Sequence, residues 1–412
     1  MTNEIKVFGM PAEKGRWVFV LLGLVINISL GSVYAWSVFR KPLESLFYAG
    51  ATESGMPFMF FLAFFALLMP FAGGYLDKYG PRTVTMLGGV LVGSGWILAS
   101  FASGIAMLSV SYGLIAGGGV GLVYGGPIAL ATKWFPDKKG LAVGLTIMGF
   151  GLSPFITAPL AVWLIGQYGP LETFRILGII FLALIVLLAM PLKFPPIGWK
   201  PRGWTSTLAA LSSRDLPTSG MLKTSSFYGL WFCYVIGTIS GLMAIGIASS
   251  VGQEIVRLNA ATAAIAVSVF AVFNGVGRPL FGWLTDRIKP KYSAVISFVL
   301  IFFASVGMLF VGKADIVLYM IYFSLFWLCL GGWLAIAPAS SSTFFGGMHH
   351  GKNYGVIFTA YGLGAILGTL MSGMVKDKFG SYTNVFYLTA ALAVIGIIIA
   401  IFFLKQPNTE SR

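Results

Sequence analysis

Twelve apolar stretches of about 20 residues, the length a helix needs to cross a bilayer, follow one another along the chain. They run over roughly 17–39, 56–76, 83–103, 107–132, 141–166, 173–193, 226–250, 260–283, 292–312, 316–340, 354–375 and 384–404. A chain that is 57% hydrophobic and only 10% charged has too much apolar surface for a water-soluble domain. The pattern predicts an all-α membrane protein with twelve transmembrane helices. The first stretch holds Trp17, Tyr34 and Trp36 and has no small-residue cleavage site, so it does not read as a removable signal peptide.

Arg278 reads as the only formal charge in the interior of a span. A charge at bilayer depth costs about 2.5–3.5 kcal/mol on insertion scales and faces a functional cavity by default. None of the 13 Asp and Glu residues lies mid-span. The alternative of a structural arginine neutralised by an internal acid therefore finds no acid, and a substrate anion is the expected partner.

The net charge of +14 raises nucleic acid or anionic lipid as partners, and its distribution decides. With the N-terminus in the cytoplasm, 19 of the 27 Lys and Arg residues fall on the cytoplasmic side, among them Lys78, Arg82, Lys133, Arg202, Arg214, Arg287 and Arg412. Seven, including Arg40, Lys41, Lys376 and Lys378, fall on the other side. This bias follows the positive-inside rule and places both termini in the cytoplasm. The lipid bilayer is the expected environment, and no nucleic-acid partner is needed to explain the charge.

Two halves echo each other. GGYLDKYGPR (Gly73 to Arg82) returns as GWLTDRIKPK (Gly282 to Lys291), which matches Asp77 to Asp286 and Lys78 to Arg287 at an offset of 209 residues. IMGFGL (Ile147 to Leu152) returns as FTAYGL (Phe358 to Leu363) at an offset of 211. Such a repeat is the sequence form of a duplicated transporter. The expected division is an N-terminal six-helix bundle over 1–193, a cytoplasmic linker over 194–225 and a C-terminal six-helix bundle over 226–412. Asp77, Lys78, Arg82, Asp286 and Arg287 are candidate gating residues, an acid and its following bases forming a charge latch at a helix end.

At Gly73, Leu76, Asp77, Lys78, Gly80 and Arg82 the chain resembles the major facilitator superfamily, whose signature loop has the form G-x-L-x-D-R-x-G-R. The resemblance implies two pseudo-symmetric six-helix bundles around a substrate cavity that opens alternately to each side. KWFPDKKGLAVGLTIMGFG (Lys133 to Gly151) and NGVGRPLFGWLTDRI (Asn274 to Ile288) further resemble the branch of the oxalate:formate antiporter and the monocarboxylate transporters. In that branch the arginine of span 8 is the carboxylate ligand, and Arg278 matches it. Guanidinium stays charged and presents a planar fork to a carboxylate.

Asn274, one turn before Arg278, is expected to hold the guanidinium or to donate to the substrate. Oxalate transporters of the branch carry a lysine where this chain has Tyr361, so one cation and therefore one carboxylate is expected. Mammalian-type monocarboxylate transporters carry an aspartate at the place of Asn274, so a carboxylate proton relay there is not expected. Tyr34, Tyr124 and Phe150 match site-lining positions of the branch. Asn27, Phe358, Leu145 and Trp333 complete the expected substrate-binding set, although core packing or lipid contact explains each of these aromatics equally well when it is taken alone.

Other chemistry lacks residues. GGGVGLVYGG (Gly117 to Gly126) is followed by no Gly-Lys-Ser/Thr, so close helix packing explains it better than a phosphate loop. Cys233 and Cys329 fall inside spans, and His349 and His350 have no ligating neighbours in sequence, so neither a metal nor a cofactor is expected. No Ser/His/Asp set or carboxylate pair lies at membrane depth, so the chain is not expected to be an enzyme. The leading expectation is symport of a short monocarboxylate, L-lactate above others, with a proton across a bacterial inner membrane. Carboxylate exchange of the oxalate:formate type is the alternative, a transport-dead membrane sensor a weaker one, and no obligate protein partner is evident.

Overall fold

The computed structural model describes residues 5–196, 198–201, 215–346 and 348–405. Arg202, Arg214, Arg412 and much of the expected 194–225 linker lie outside the described residues. Among the described residues, ten helices are long and apolar enough to cross a membrane: α1 Ala12–Phe47, α2 Ala51–Ala99, α3 Ile105–Trp134, α4 Lys139–Ala189, α5 Ser225–Glu254, α6 Ala260–Ile288, α7 Pro290–Met308, α8 Ile316–Phe345, α9 His350–Phe379 and α10 Val385–Phe403. A short hairpin pairs Lys6–Val7 with Met10–Pro11 ahead of α1.

Two of the ten helices supply two passes each. α2 and α4 contain 49 and 51 residues. At a rise of 1.5 Å per residue each is about 75 Å long, more than twice the hydrocarbon thickness of about 30 Å. Gly80 at φ 77° and Gly169 at φ 79° break them, and each is followed by a proline, Pro81 and Pro170. Only glycine adopts that backbone without strain, and proline then restarts a helix at its first turn. With the two breaks counted, α1–α4 make six passes and α5–α10 make six.

The helices outrun the apolar stretches that announce them. α1 continues from 39 to Phe47 because its last turns pack under the other bundle, against α5, instead of ending at a water interface. This corrects the reading of Arg278 as the only charge inside a span. Arg40 lies within α1 and is 1% exposed, and Arg16, near its start, is also buried.

The two sets of six meet along α2 with α9 and α4 with α6. Small residues set the spacing. A Cβ on Gly151 of α4 would fall 2.6 Å from Oδ1 of Asn274 on α6, and one on Gly31 of α1 would collide with the Phe150 carbonyl. At Gly31–Ala35 the first helix tightens into a 3-10 turn. The periphery is apolar, with Trp163, Leu187 and Phe303 exposed as lipid-facing positions require.

Candidate functional site

Arg278 sits ten residues from the end of α6 at Ile288, about 15 Å in at the helical rise. It is 4% exposed. Nη1 donates to the Ile147 carbonyl of α4 at 2.6 Å, a bond that crosses from one bundle to the other. Nε and Nη2 are buried and meet no acceptor at full hydrogen-bond geometry, and the Tyr124 hydroxyl is the polar group beside the guanidinium. Those two N–H groups form the side-on fork of a guanidinium, the geometry that takes both oxygens of a carboxylate. Among the described residues no acid pairs with Arg278.

Aromatic residues from five helices surround the fork. The guanidinium lies 6.0 Å from the centre of the Phe150 ring, a cation–π distance. Phe150 packs edge-on against Tyr34 at 5.1 Å and Tyr124 at 5.5 Å. Phe65 of α2 joins Tyr124, Phe150, Phe358 and Tyr361 at 5.2 to 5.9 Å. The Tyr34 and Tyr361 hydroxyls, from opposite bundles, share a hydrogen bond of 2.7 Å. Thus Tyr34, Tyr124, Phe150, Phe358 and Tyr361 gather in one cluster with Arg278.

Other expected site residues fall elsewhere. Asn274 does not hold the guanidinium: its Nδ2 donates to the Trp327 carbonyl at 3.0 Å, and the Ile147 carbonyl does the holding. Its Oδ1 is buried and unpartnered toward Gly151. Asn27 donates to Gly23 O at 2.9 Å and lies against Gly149 in the seam of α1 and α4. Trp333 stacks on Tyr234 and touches Phe298 of α7, one layer behind the cluster. Leu145 is half-buried against the core, one turn of α4 from Gly149.

Phe65, Trp327, Tyr234 and Tyr354 belong to the cluster or border it and were absent from the expected set. Trp327 approaches Tyr34 at 6.4 Å, while Tyr234 and Tyr354 reach Phe358 at 6.4 and 5.7 Å. The only available signal was helical spacing: Tyr354, Phe358 and Tyr361 recur at intervals of four and three residues on one face of α9.

Among the described residues the paired loop motifs make no ion pair between the bundles. Asp77 is 76% exposed at its carboxylate and takes Lys133 of its own bundle at 3.3 Å. Lys78 lies over the Tyr79 ring and Arg287 over the Trp283 ring. Among the described residues Arg82 and Asp286 make no ion pair. The opposite end of the molecule is closed instead. There Glu254 of α5 pairs with Lys41 of α1 and Lys376 of α9, and Asp377 accepts the backbone N–H groups of Ala51 and Thr52 at 2.8 and 2.9 Å. Arg40 is fully engaged beside them, donating to Ser54 Oγ at 3.1 Å, to Gly246 O at 3.4 Å and to the Ala51 carbonyl.

At the terminal end, Arg16 holds Asp137 with two bonds of 2.6 and 2.7 Å. The guanidinium keeps the Asp137 carboxyl below the usual carboxylate range.

Two six-pass bundles meeting along paired helices define a polytopic membrane protein of the transporter class. The chain belongs to the Major Facilitator Superfamily, whose family model matches residues 16–341 and, in a second match, 230–412. It is therefore a transporter and not an enzyme. The oxalate:formate antiporter of Oxalobacter formigenes is 28% identical over 95% of this chain and 92% of its own length. Monocarboxylate transporter 13 of Bos taurus is 26% identical over 83% of this chain and 79% of its own. These relatives come from the branch that the sequence motifs resemble. An inward-facing bacterial homologue of the lysosomal transporter Spinster shares the fold, with a TM-score of 0.73 at 14% identity, over 96% of this chain and 99% of that one.

Proposed function

We propose that this chain carries a short monocarboxylate, with L-lactate the foremost candidate, together with a proton by alternating access. It would work in a bacterial inner membrane with both termini in the cytoplasm. The observation that carries the substrate class is the buried, unpartnered side-on fork of Arg278. A carboxylate is the anion whose two oxygens match it, and binding neutralises a charge that is otherwise costly at that depth. One cation in the cluster favours one carboxylate, because Tyr361 contributes a hydroxyl tied to Tyr34 and no second charge. The aromatic walls limit the rest of the substrate to a small group. The excess of Lys and Arg on one side supports the orientation.

The test is uptake of labelled L-lactate into proteoliposomes, with and without an inward proton gradient, for the native chain and Arg278→Gln. Saturable uptake driven by the gradient and abolished by the substitution is expected. Full gradient-driven uptake by Arg278→Gln would remove the binding role. Carboxylate exchange is the second reading, favoured by the similarity to the oxalate:formate antiporter across almost the whole chain. It predicts strong stimulation by an anion preloaded inside and no response to the gradient.

A further inference from the structure

Two carboxylates cross between the bundles at the closed end, Asp377 to backbone N–H groups of α2 and Glu254 to ammonium groups. Glu254 ends α5, and its two oxygens serve different bundles: Oε1 takes Lys41 from α1, and Oε2 takes Lys376 from α9. Its side chain is 18% exposed. A 490 Å³ cavity beside it is lined by Lys41, Glu44, Glu254, Arg257, Lys376 and Asp377, so water and protons reach the pair.

None of the neighbouring acids pairs with a cation of the opposite bundle as Glu254 does. Glu44 accepts from Ser54 Oγ at 2.7 Å and lies 3.7 Å from Arg40. Asp377 caps the start of α2 through Ala51 and Thr52. Tyr382, between α9 and α10, lies under Arg40 and Lys376 at 5.8 and 5.4 Å. Tyr319 of α8 donates to Ala248 O at 2.7 Å. Arg257, just beyond α5, adds a further positive charge to the cavity wall. Glu254 is thus the acid whose ion pair to Lys41 must break when the bundles part here.

We propose that Glu254 is a proton-responsive latch on the outward-facing gate. The bundles close when it is ionised, and a proton taken from the external side releases Lys41 and opens the path to Arg278. The sign follows from linkage. Closure surrounds the carboxylate with two ammonium groups and opposes protonation, whereas opening removes one of them. The open state therefore binds the proton more tightly, and falling external pH favours it. The link to uptake rests on the transport reading above, but the gate is testable without transport.

The measurement is the distance between spin labels at Phe101→Cys and Phe310→Cys, exposed positions at the outer ends of the two bundles. It is made on the full chain in nanodiscs at pH 8 and pH 5. The native background should be closed at pH 8, with an open-to-closed ratio that rises about tenfold for each unit by which the two states' proton affinities differ. Glu254→Gln and Lys41→Met should be open at both values, and Glu254→Asp should restore the response. A Glu254→Gln protein that stays closed at pH 8, or a native protein with no response, overturns the latch. A latch that responds while lactate uptake ignores pH keeps this inference and sinks the proton-symport reading.

Discussion

Arg40 and Arg278 are two buried guanidiniums with opposite economies. Arg40 donates from all three of its nitrogens, to carbonyls and a hydroxyl drawn from α1's neighbours on both sides of the seam. Arg278 makes one hydrogen bond and leaves two donors facing aromatic rings. Burying such a group costs about the same desolvation in either place. Full satisfaction fits a charge used in structure, while an unsatisfied fork is what the proposed carboxylate-binding role requires. Depth in the membrane does not separate the two, and the partner count does.

Substitution at the two sites should separate them most sharply. Arg278→Gln should abolish carboxylate uptake, and Arg278→Lys, which keeps the charge but loses the planar fork, should lower it at least about tenfold. Both should leave the melting temperature in detergent unchanged or higher. Arg40→Gln should do the reverse in stability, with a loss on the order of 3 kcal/mol, because it strands buried carbonyls and Glu44. Thermal unfolding and uptake measured on the same preparations check both. An Arg40→Gln protein of native stability would erase the distinction.

Smaller effects sharpen it. Gly151→Ala places a methyl 2.6 Å from Asn274 Oδ1, so the Asn274 side chain must swing away or α4 and α6 must part, at a cost of about 1–3 kcal/mol and with weaker lactate binding at Arg278. Tyr361→Phe removes the 2.7 Å bond to Tyr34, worth about 1 kcal/mol, and should shift the apparent KM by severalfold at most. The smallest effect is expected at the terminal end, where Arg16 depresses the Asp137 carboxyl. A carboxyl lowered by folding stabilises the protein above its unfolded value, and that contribution fades as pH falls through the folded one. Asp137→Asn should therefore cost stability near pH 7, and that cost should shrink as pH falls below about 4, as read by unfolding across that range.

Legibility in the sequence followed the range of the interaction. Apolar length is a local property, so the spans could be read directly, and the halves could be paired from Asp77 and Asp286. Arg278 was visible because apolar residues flank it on both sides. Arg40 was not, since a basic residue at the end of an apolar run looks the same whether it snorkels to water or packs under another helix. Glu254 reads in the sequence as one of two weakly motivated titrating groups near the gates, beside His349, because Lys41 and Lys376 come to it from remote parts of the chain. Phe65, Tyr234 and Tyr354 were hidden by abundance: in a chain with 15% aromatic residues, helical spacing alone does not say which ring faces the site.

The bond from Arg278 to the Ile147 carbonyl joins a residue of one half of the chain to the backbone of the other. On the proposed alternating-access reading, its donor and acceptor ride on bodies that rock against each other. The guanidinium therefore has one fewer donor to offer when the bundles lie as they do here than when α4 has moved off. The same side chain then presents two different affinities, one to each face of the membrane. A carrier working this way would have unequal half-saturation for the two directions of flux, while the gradients alone set the net direction.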